Sequence, residues 1–194
     1  MKSIKLLLVI VSVLAIALPA VRAQVFTVKS YKLSVQGTSS LHDWESTVEK
    51  VEARGFYQVS NNTLASIRDV VVKIPVKAIK SPKGKIMDNK TWEAFNYEKN
   101  PTITFVLGDK KIDAVKSTVV ATGTLTMAGV TKPAELHLTY KVLPGGELEI
   151  SGSYKLLMST FNMEAPTAMM GTIKVGDEIV VTIEMLLANP NSTL

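Results

Sequence analysis

Chemistry at a protein site needs a nucleophile, an acid or base, or a metal ligand, and this 194-residue chain offers few of them. It has two histidines and no cysteine, so thiol nucleophiles and thiolate metal ligands are excluded. His42 has the more suggestive surroundings. It stands in Ser39-Ser40-Leu41-His42-Asp43-Trp44, where hydroxyls, an imidazole and a carboxylate crowd together. A hydrolase triad needs its nucleophile hydrogen-bonded to the imidazole and a third group orienting the ring. Neighbours in an extended segment project to opposite sides, so His42 and Asp43 are poorly arranged for that task. A mononuclear metal centre would need a third ligand at a recognised spacing, and none is in place. The expectation is therefore no catalytic residue and no metal. His42 and Asp43 hydrogen-bond loop backbone, and Trp44 packs at the end of the fold. His137 falls on the polar parity of a strand and reads as a surface residue. The chain carries no glycine-rich phosphate loop, no HExxH and no paired-carboxylate signature.

Met158, Met163, Met169 and Met170 gather near Phe161. Methionine is flexible and polarisable, and suits an adaptable apolar surface. Two readings stand side by side, a pocket mouth for a greasy chain and ordinary loop packing.

The elements that must position these residues are mostly strands. Leu136, Leu138, Tyr140 and Val142 share one parity, while Glu135, His137, Thr139 and Lys141 share the other. Strand side chains alternate sides, so one face is dry and one wet. The pattern recurs about eight times. Its dry residues include Tyr31, Leu33 and Val35; Val70, Val72, Ile74 and Val76; and Ile103, Phe105 and Leu107. Further on come Val119, Leu125 and Met127, then Ile179, Val181, Ile183 and Met185. A second strand is expected over Thr47–Val59 and the last over Glu178–Leu187, after an irregular stretch from Thr160 to Gly176. A sheet of this size with one dry face must pack on another sheet or close on itself. Closed at about eight strands, it has room for one small apolar ligand. Ala53, Gly55, Ala121, Gly123 and Gly152 sit on the dry parity. Small inward residues leave space, or permit the sharp bends that closure requires.

One segment departs from the alternation. Between Gly84 and about residue 98, Ile86, Met87, Thr91, Trp92, Ala94 and Phe95 fall at roughly helical spacing, and Asn100-Pro101 ends the pattern. Such a helix either caps a barrel mouth or covers a sheet edge.

The ends bound the rest. Lys2 and Lys5 precede the uncharged run Leu6–Leu18, and Val21-Arg22-Ala23 offers small residues where a signal peptidase reads. Residues 1–23 are expected to be a secretory signal peptide, too short to span a bilayer comfortably. Residues 24–188 would form the barrel domain and 189–194 a frayed tail. The chain has a net charge of +5. Loss of Lys2, Lys5 and Arg22 reduces its 22 basic residues to 19, against 17 acidic, a net of +2. The basic balance thus owes much to the leader and is weak evidence for nucleic acid or an anionic membrane.

Three stretches carry a resemblance. They are Gly37-Thr38-Ser39-Ser40-Leu41-His42-Asp43-Trp44, the segment from Met87-Asp88 through Ala94-Phe95 into Asn100-Pro101-Thr102-Ile103-Thr104-Phe105, and the hairpin Gly123-Thr124-Leu125-Thr126-Met127-Ala128-Gly129-Val130-Thr131-Lys132-Pro133. In their order and spacing the chain resembles the YceI-like family of exported, lipocalin-like proteins, from about Val25 to Leu187. The resemblance implies an all-β fold, an extended antiparallel eight-stranded barrel with one helix near residues 84–98. It implies an apolar tunnel for a polyisoprenoid or quinone-like lipid, a periplasmic or secreted bacterial location, and no catalytic residues. Such proteins include dimers, so a homodimer is compatible with it. Many relatives carry a histidine in the first strand, where this chain has Lys29-Ser30-Tyr31-Lys32-Leu33-Ser34-Val35, and that leaves the head group open.

The expected function is an exported protein that holds such a lipid as cargo, for sequestration or transport, with no cofactor. It would have no nucleic-acid partner and no stable membrane insertion once the leader is cut. The residues expected to line the site are Trp44, Val72, Ile74, Trp92, Phe95, Phe105, Leu125, Leu138, Phe161 and Met170. Each would supply shape and dispersion contact rather than chemistry. The rival is a barrel filled by its own side chains, acting as an envelope stress or interaction protein without a bound lipid.

Overall fold

A computed structural model describes residues 24–168 and 170–188. The expected signal peptide, Met169 and the expected tail lie outside these described residues. The chain runs β1 (Gln24–Val25), β2 (Thr27–Ser39), β3 (Trp44–Val48), β4 (Glu52–Ser60), β5 (Thr63–Pro75), β6 (Ile79–Lys80) and α1 (Lys85–Ala94). It continues with β7 (Thr102–Asp113), β8 (Thr118–Met127), β9 (Val130–Val142), β10 (Leu148–Leu157), β11 (Thr167–Ala168) and β12 (Ile173–Ala188). Short 3₁₀ turns occupy Val76–Ala78 and Met158–Phe161.

The strands form one curled antiparallel sheet in the order β1-β4-β5-β7-β8-β9-β10-β12-β2-β3-β6, with β11 beside β12. Eight of them are long, as expected of a lipocalin-like barrel. The first segment joins the two ends of the ladder. Gln24 and Val25 pair with Tyr57 and Phe56 of β4, and Phe26 N donates to Gly55 O at 3.0 Å. From Thr27 onward the same segment pairs with β12. Wall formation therefore satisfies edge groups that an open sheet would leave bare.

Register places the loops at two opposite ends. The turns at Asn61-Asn62, Asp113–Thr118 and Leu143–Leu148 share the far end with Gln24 and Ala188. The Ser39–Trp44 turn, the Lys80–Lys85 segment and the Ala168–Ile173 connection share the other end, here called the mouth. Two apolar clusters follow this division. Phe26, Tyr57, Leu64, Tyr140 and Leu148 stopper the far end. Val48, Val76, Ile79, Phe95, Met127, Met158, Phe161 and Met163 pack nearer the mouth.

Alternation holds through β8, β9 and β10, and fails where strands bend. The expected strand over Thr47–Val59 is two strands. β3 leaves the wall to bridge β2 and β6, and Tyr31 Oη donates to Glu49 O at 2.6 Å beside the break. The inward residues of β5 are Leu64, Ile67, Val70, Val72 and Ile74, because irregularities near Ala65 and Asp69 reset the parity. Asp69 has φ 55°. The last strand begins at Ile173, ahead of the expected Glu178, and bulges between Val175 and Ile179. The small inward residues divide between the two expected roles. Ala53 and Ala121 face open space. Gly123 and Gly152 mark close approach instead. A Cβ on Gly123 would meet Val106 O and Phe105, and one on Gly152 would meet Leu138 Cδ2 at 2.7 Å. A bulge at Leu107/Asp109 lies opposite Gly123, so these glycines serve curvature.

Candidate functional site: an apolar cavity with a polar mouth

The dry faces of the strands do not meet. They surround a cavity of about 680 Å³, within the usual range of about 300–1,000 Å³ for small-molecule sites. Every long strand except β4 sends at least two side chains to it, and β4 sends Ala53. Leu33 and Val35 come from β2, Ile67, Val70, Val72 and Ile74 from β5, and Ile103, Phe105 and Leu107 from β7. Val119, Ala121, Leu125 and Met127 come from β8, Leu136 and Leu138 from β9, and Ile150, Tyr154 and Leu156 from β10. Ile179, Val181, Ile183, Met185 and Leu187 complete the wall from β12. Phe26, Ile67, Val119, Ile150 and Leu187 belong both to this lining and to the far-end cluster, so the cavity ends against that stopper.

The helix serves both expected purposes. Met87, Lys90, Thr91 and Ala94 face the cavity at one-turn spacing, and Phe95, which caps the helix C-terminus, is buried against it. The opposite side docks on β6 and the turn before it. Asp88 is buried and accepts hydrogen bonds from Ser81 N at 2.7 Å and Lys80 Nζ at 3.3 Å. Trp92 Nε1 donates to Ile79 O at 3.3 Å, and Lys80 Nζ lies 4.4 Å from the Trp92 ring centre.

Charge is confined to the mouth. The charged or titratable residues that border the cavity there are His42, Asp43, Glu45, Lys83 and Lys90. Hydrogen bonds from Ser34 and then Gln36 hold Glu45 below the usual carboxylate range. Deeper in, the wall offers the Tyr154 phenol, whose pKa burial pushes up, and the Ser46 hydroxyl. A ligand in this space meets hydrocarbon along most of its length, two neutral hydroxyls in the wall, and charged groups only at its outer end.

The His42 turn is built from backbone contacts. Ser39 Oγ accepts from His42 N at 3.1 Å and Leu41 N at 3.3 Å, and donates to His42 O at 2.7 Å. His42 Nδ1 lies 2.7 Å from Asp43 O, so the ring donates to a carbonyl there. The Ser39 hydroxyl is therefore engaged with backbone and not with the imidazole. Trp44 Nε1 donates to Thr38 O at 3.0 Å, and its ring lies flat over Gly37. A Cβ at residue 37 would sit 2.5 Å from Trp44 Cζ2, so only glycine admits the indole at the mouth. Among the described residues, no group of three His, Asp or Glu side chains is placed to hold a metal ion.

Of the ten residues expected to line the site, the structure brings seven together. Trp44, Val72, Ile74, Phe95, Phe105, Leu125 and Leu138 border the cavity. Trp92 is turned to the docking side of α1. Phe161 is buried behind Met158 and Met163, which do border the cavity. Met170 is fully exposed, with φ 55° in the turn before β12, and so is corrected from an inward to an outward residue. Sequence reading passed over Phe26, Ile67 and Tyr154. Phe26 lies at the handover between β1 and β2, and Ile67 lies between two parity resets. Tyr154 has the inward parity of Ile150 and Leu156, a signal that was there to be used.

A curled antiparallel sheet around an apolar cavity, with a helix at its mouth, defines a lipocalin-like container. The YceI-like domain pattern matches residues 18–187, and the chain belongs to that family. No curated protein matches it. Among solved structures it is similar to BcnA of Burkholderia cenocepacia, with a TM-score of 0.67 and 20% identity over 82% of this chain and 96% of that one. It is similar to a polyisoprenoid binding domain from Saccharophagus degradans, with a TM-score of 0.66 and 11% identity over 87% of this chain and 100% of that one. A YCEI protein of Campylobacter jejuni gives a TM-score of 0.58 and 23% identity over 75% of this chain and 84% of that one.

Proposed function

We propose that this protein is an exported, periplasmic or secreted, carrier that holds a polyisoprenoid or quinone-like lipid in its cavity, for sequestration or transport and without chemical change. The observation that carries this reading is the contrast between a long apolar wall and charge confined to one end. Burial of apolar surface contributes roughly 25 cal/mol per Å², or about 0.8 kcal/mol per CH₂. A prenyl chain needs nothing more from the wall, and its head would lie among the mouth residues. The likeness to a polyisoprenoid binding domain supports the ligand class. The turn around His42, with Ser39 committed to backbone, supports binding over catalysis. The open cavity counts against a barrel filled by its own side chains.

The test is native mass spectrometry of the protein purified from its own cell envelope, then organic extraction. A stoichiometric prenyl or quinone mass is expected. A mass of protein alone that persists after incubation with prenyl lipids would overturn the reading and favour an envelope interaction protein.

A further inference from the structure

Large apolar side chains are rarely left bare without a reason when they cluster. Three stand at the mouth, each on a different element. Leu41 is 66% exposed in the Ser39–Trp44 turn, Ile86 is 75% exposed on the first turn of α1, and Met170 is fully exposed between β11 and β12. Their chain neighbours fix their position. Ser39 and His42 flank Leu41, Lys83 and Met87 flank Ile86, and Thr167 and Ile173 flank Met170, and all six border the cavity mouth. The first and third turns are tied directly, since Ser40 N donates to Lys174 O at 2.9 Å and Lys174 N donates to Ser40 Oγ at 3.1 Å.

We propose that this mouth docks on a lipid bilayer, with Leu41, Ile86 and Met170 entering the interfacial region so that an apolar chain passes between membrane and cavity without crossing water. Three points single out a bilayer. The side chains protrude from three separate elements, two turns and the first turn of α1, and not from one helix face or strand edge. They encircle the opening of the apolar cavity, so docking joins hydrocarbon to hydrocarbon. The rim also carries Lys83, Lys85, Lys90 and Lys174, none in an ion pair among the described residues. They share the rim with the carboxylates Asp43, Glu45, Glu164 and Asp177, and being unpaired among the described residues they can meet anionic head groups. The far end shows no such ring. Its exposed large apolar side chains among the described residues are Val115, at 96%, and Val25, at 48%.

This inference uses the proposed cargo only for its purpose, and its test is independent of cargo. Protein beginning at Gln24 is sedimented with vesicles of phosphatidylethanolamine and phosphatidylglycerol that contain no isoprenoid. The double variant Ile86→Ser, Met170→Ser is compared with Val115→Ser. None of these side chains borders the cavity, and all are exposed, so the fold and any cargo seen by native mass spectrometry should persist. The double variant is expected to lose vesicle binding by about tenfold or more, on the scale of burying an apolar side chain, and Val115→Ser to bind as the unaltered protein does. Failure of the unaltered protein to bind vesicles would overturn the proposal. So would equal binding by the double variant, an equal loss in Val115→Ser, or self-association of the protein in place of vesicle binding. Rim-dependent binding by a protein without cargo would uphold docking while the carrier reading fell.

Discussion

At the scale of single residues, the wall works through shape. Leu125 projects from β8 into the cavity, opposite Phe105 in register. Leu125→Trp is expected to fill space without unfolding the protein and to abolish the retained lipid mass in native spectra. If the cavity were already packed, the same change would instead lower stability by about 1–3 kcal/mol, visible as a fall in the thermal midpoint. Val72, Ile74, Phe105, Leu125 and Leu138 were legible because strand parity states which way a side chain points, and Phe95 because of its helical spacing. Trp92 and Met170 were not, for particular reasons. Trp92 lies at helical spacing with Met87, yet an α-helix has more than one face, and its indole donates to Ile79 O on the docking side. Met170 is apolar, but a left-handed turn carries it outward. The engagement of the Ser39 hydroxyl with loop backbone was not readable from the sequence.

At the scale of elements, α1 decides how firmly the mouth is held. Its dock rests on the buried Asp88 carboxylate, bound to Ser81 N and Lys80 Nζ. Asp88→Ala leaves the half-buried Ser81 N–H without its acceptor and should lower unfolding free energy by about 1–3 kcal/mol. A shifted urea midpoint, with altered Trp92 fluorescence, checks this. The helix itself was visible in the sequence, but not which of capping or edge cover it performs. The two prove compatible, since Met87, Lys90, Thr91 and Ala94 face the cavity while Asp88 and Trp92 face β6. Strand interruptions were harder to see. Polar Gly176-Asp177-Glu178 hides the bulge in β12, and Asp177 there binds Ser159 N at 2.8 Å and the Ser159 hydroxyl. Those bonds lower its pKa.

At the scale of the whole molecule, stability rests on two apolar clusters and a closed ladder, with no disulfide to help. Burial, and then the charge of Glu147, pushes the Tyr57 phenol above its ordinary value, and burial does the same for Tyr154. Tyr57 also donates to Gly146 O at 2.8 Å. A raised phenol pKa means that the unfolded chain ionises first. The contribution is therefore full below pH about 10 and falls as pH climbs above it. Urea midpoints are expected to drop between pH 9 and 11, roughly across that ordinary value, and to drop less in Tyr57→Phe. The joined ladder has a further consequence, in time rather than in space. β2, near the start of the chain, completes its wall only against β12, at the end. A chain that emerges N-terminus first can form the hairpins from β4 to β10 as they appear, yet cannot shut the container until its last strand is free. Enclosure is thus the final event of folding, and a lipid present at that moment could be captured by the closing wall as well as through the mouth.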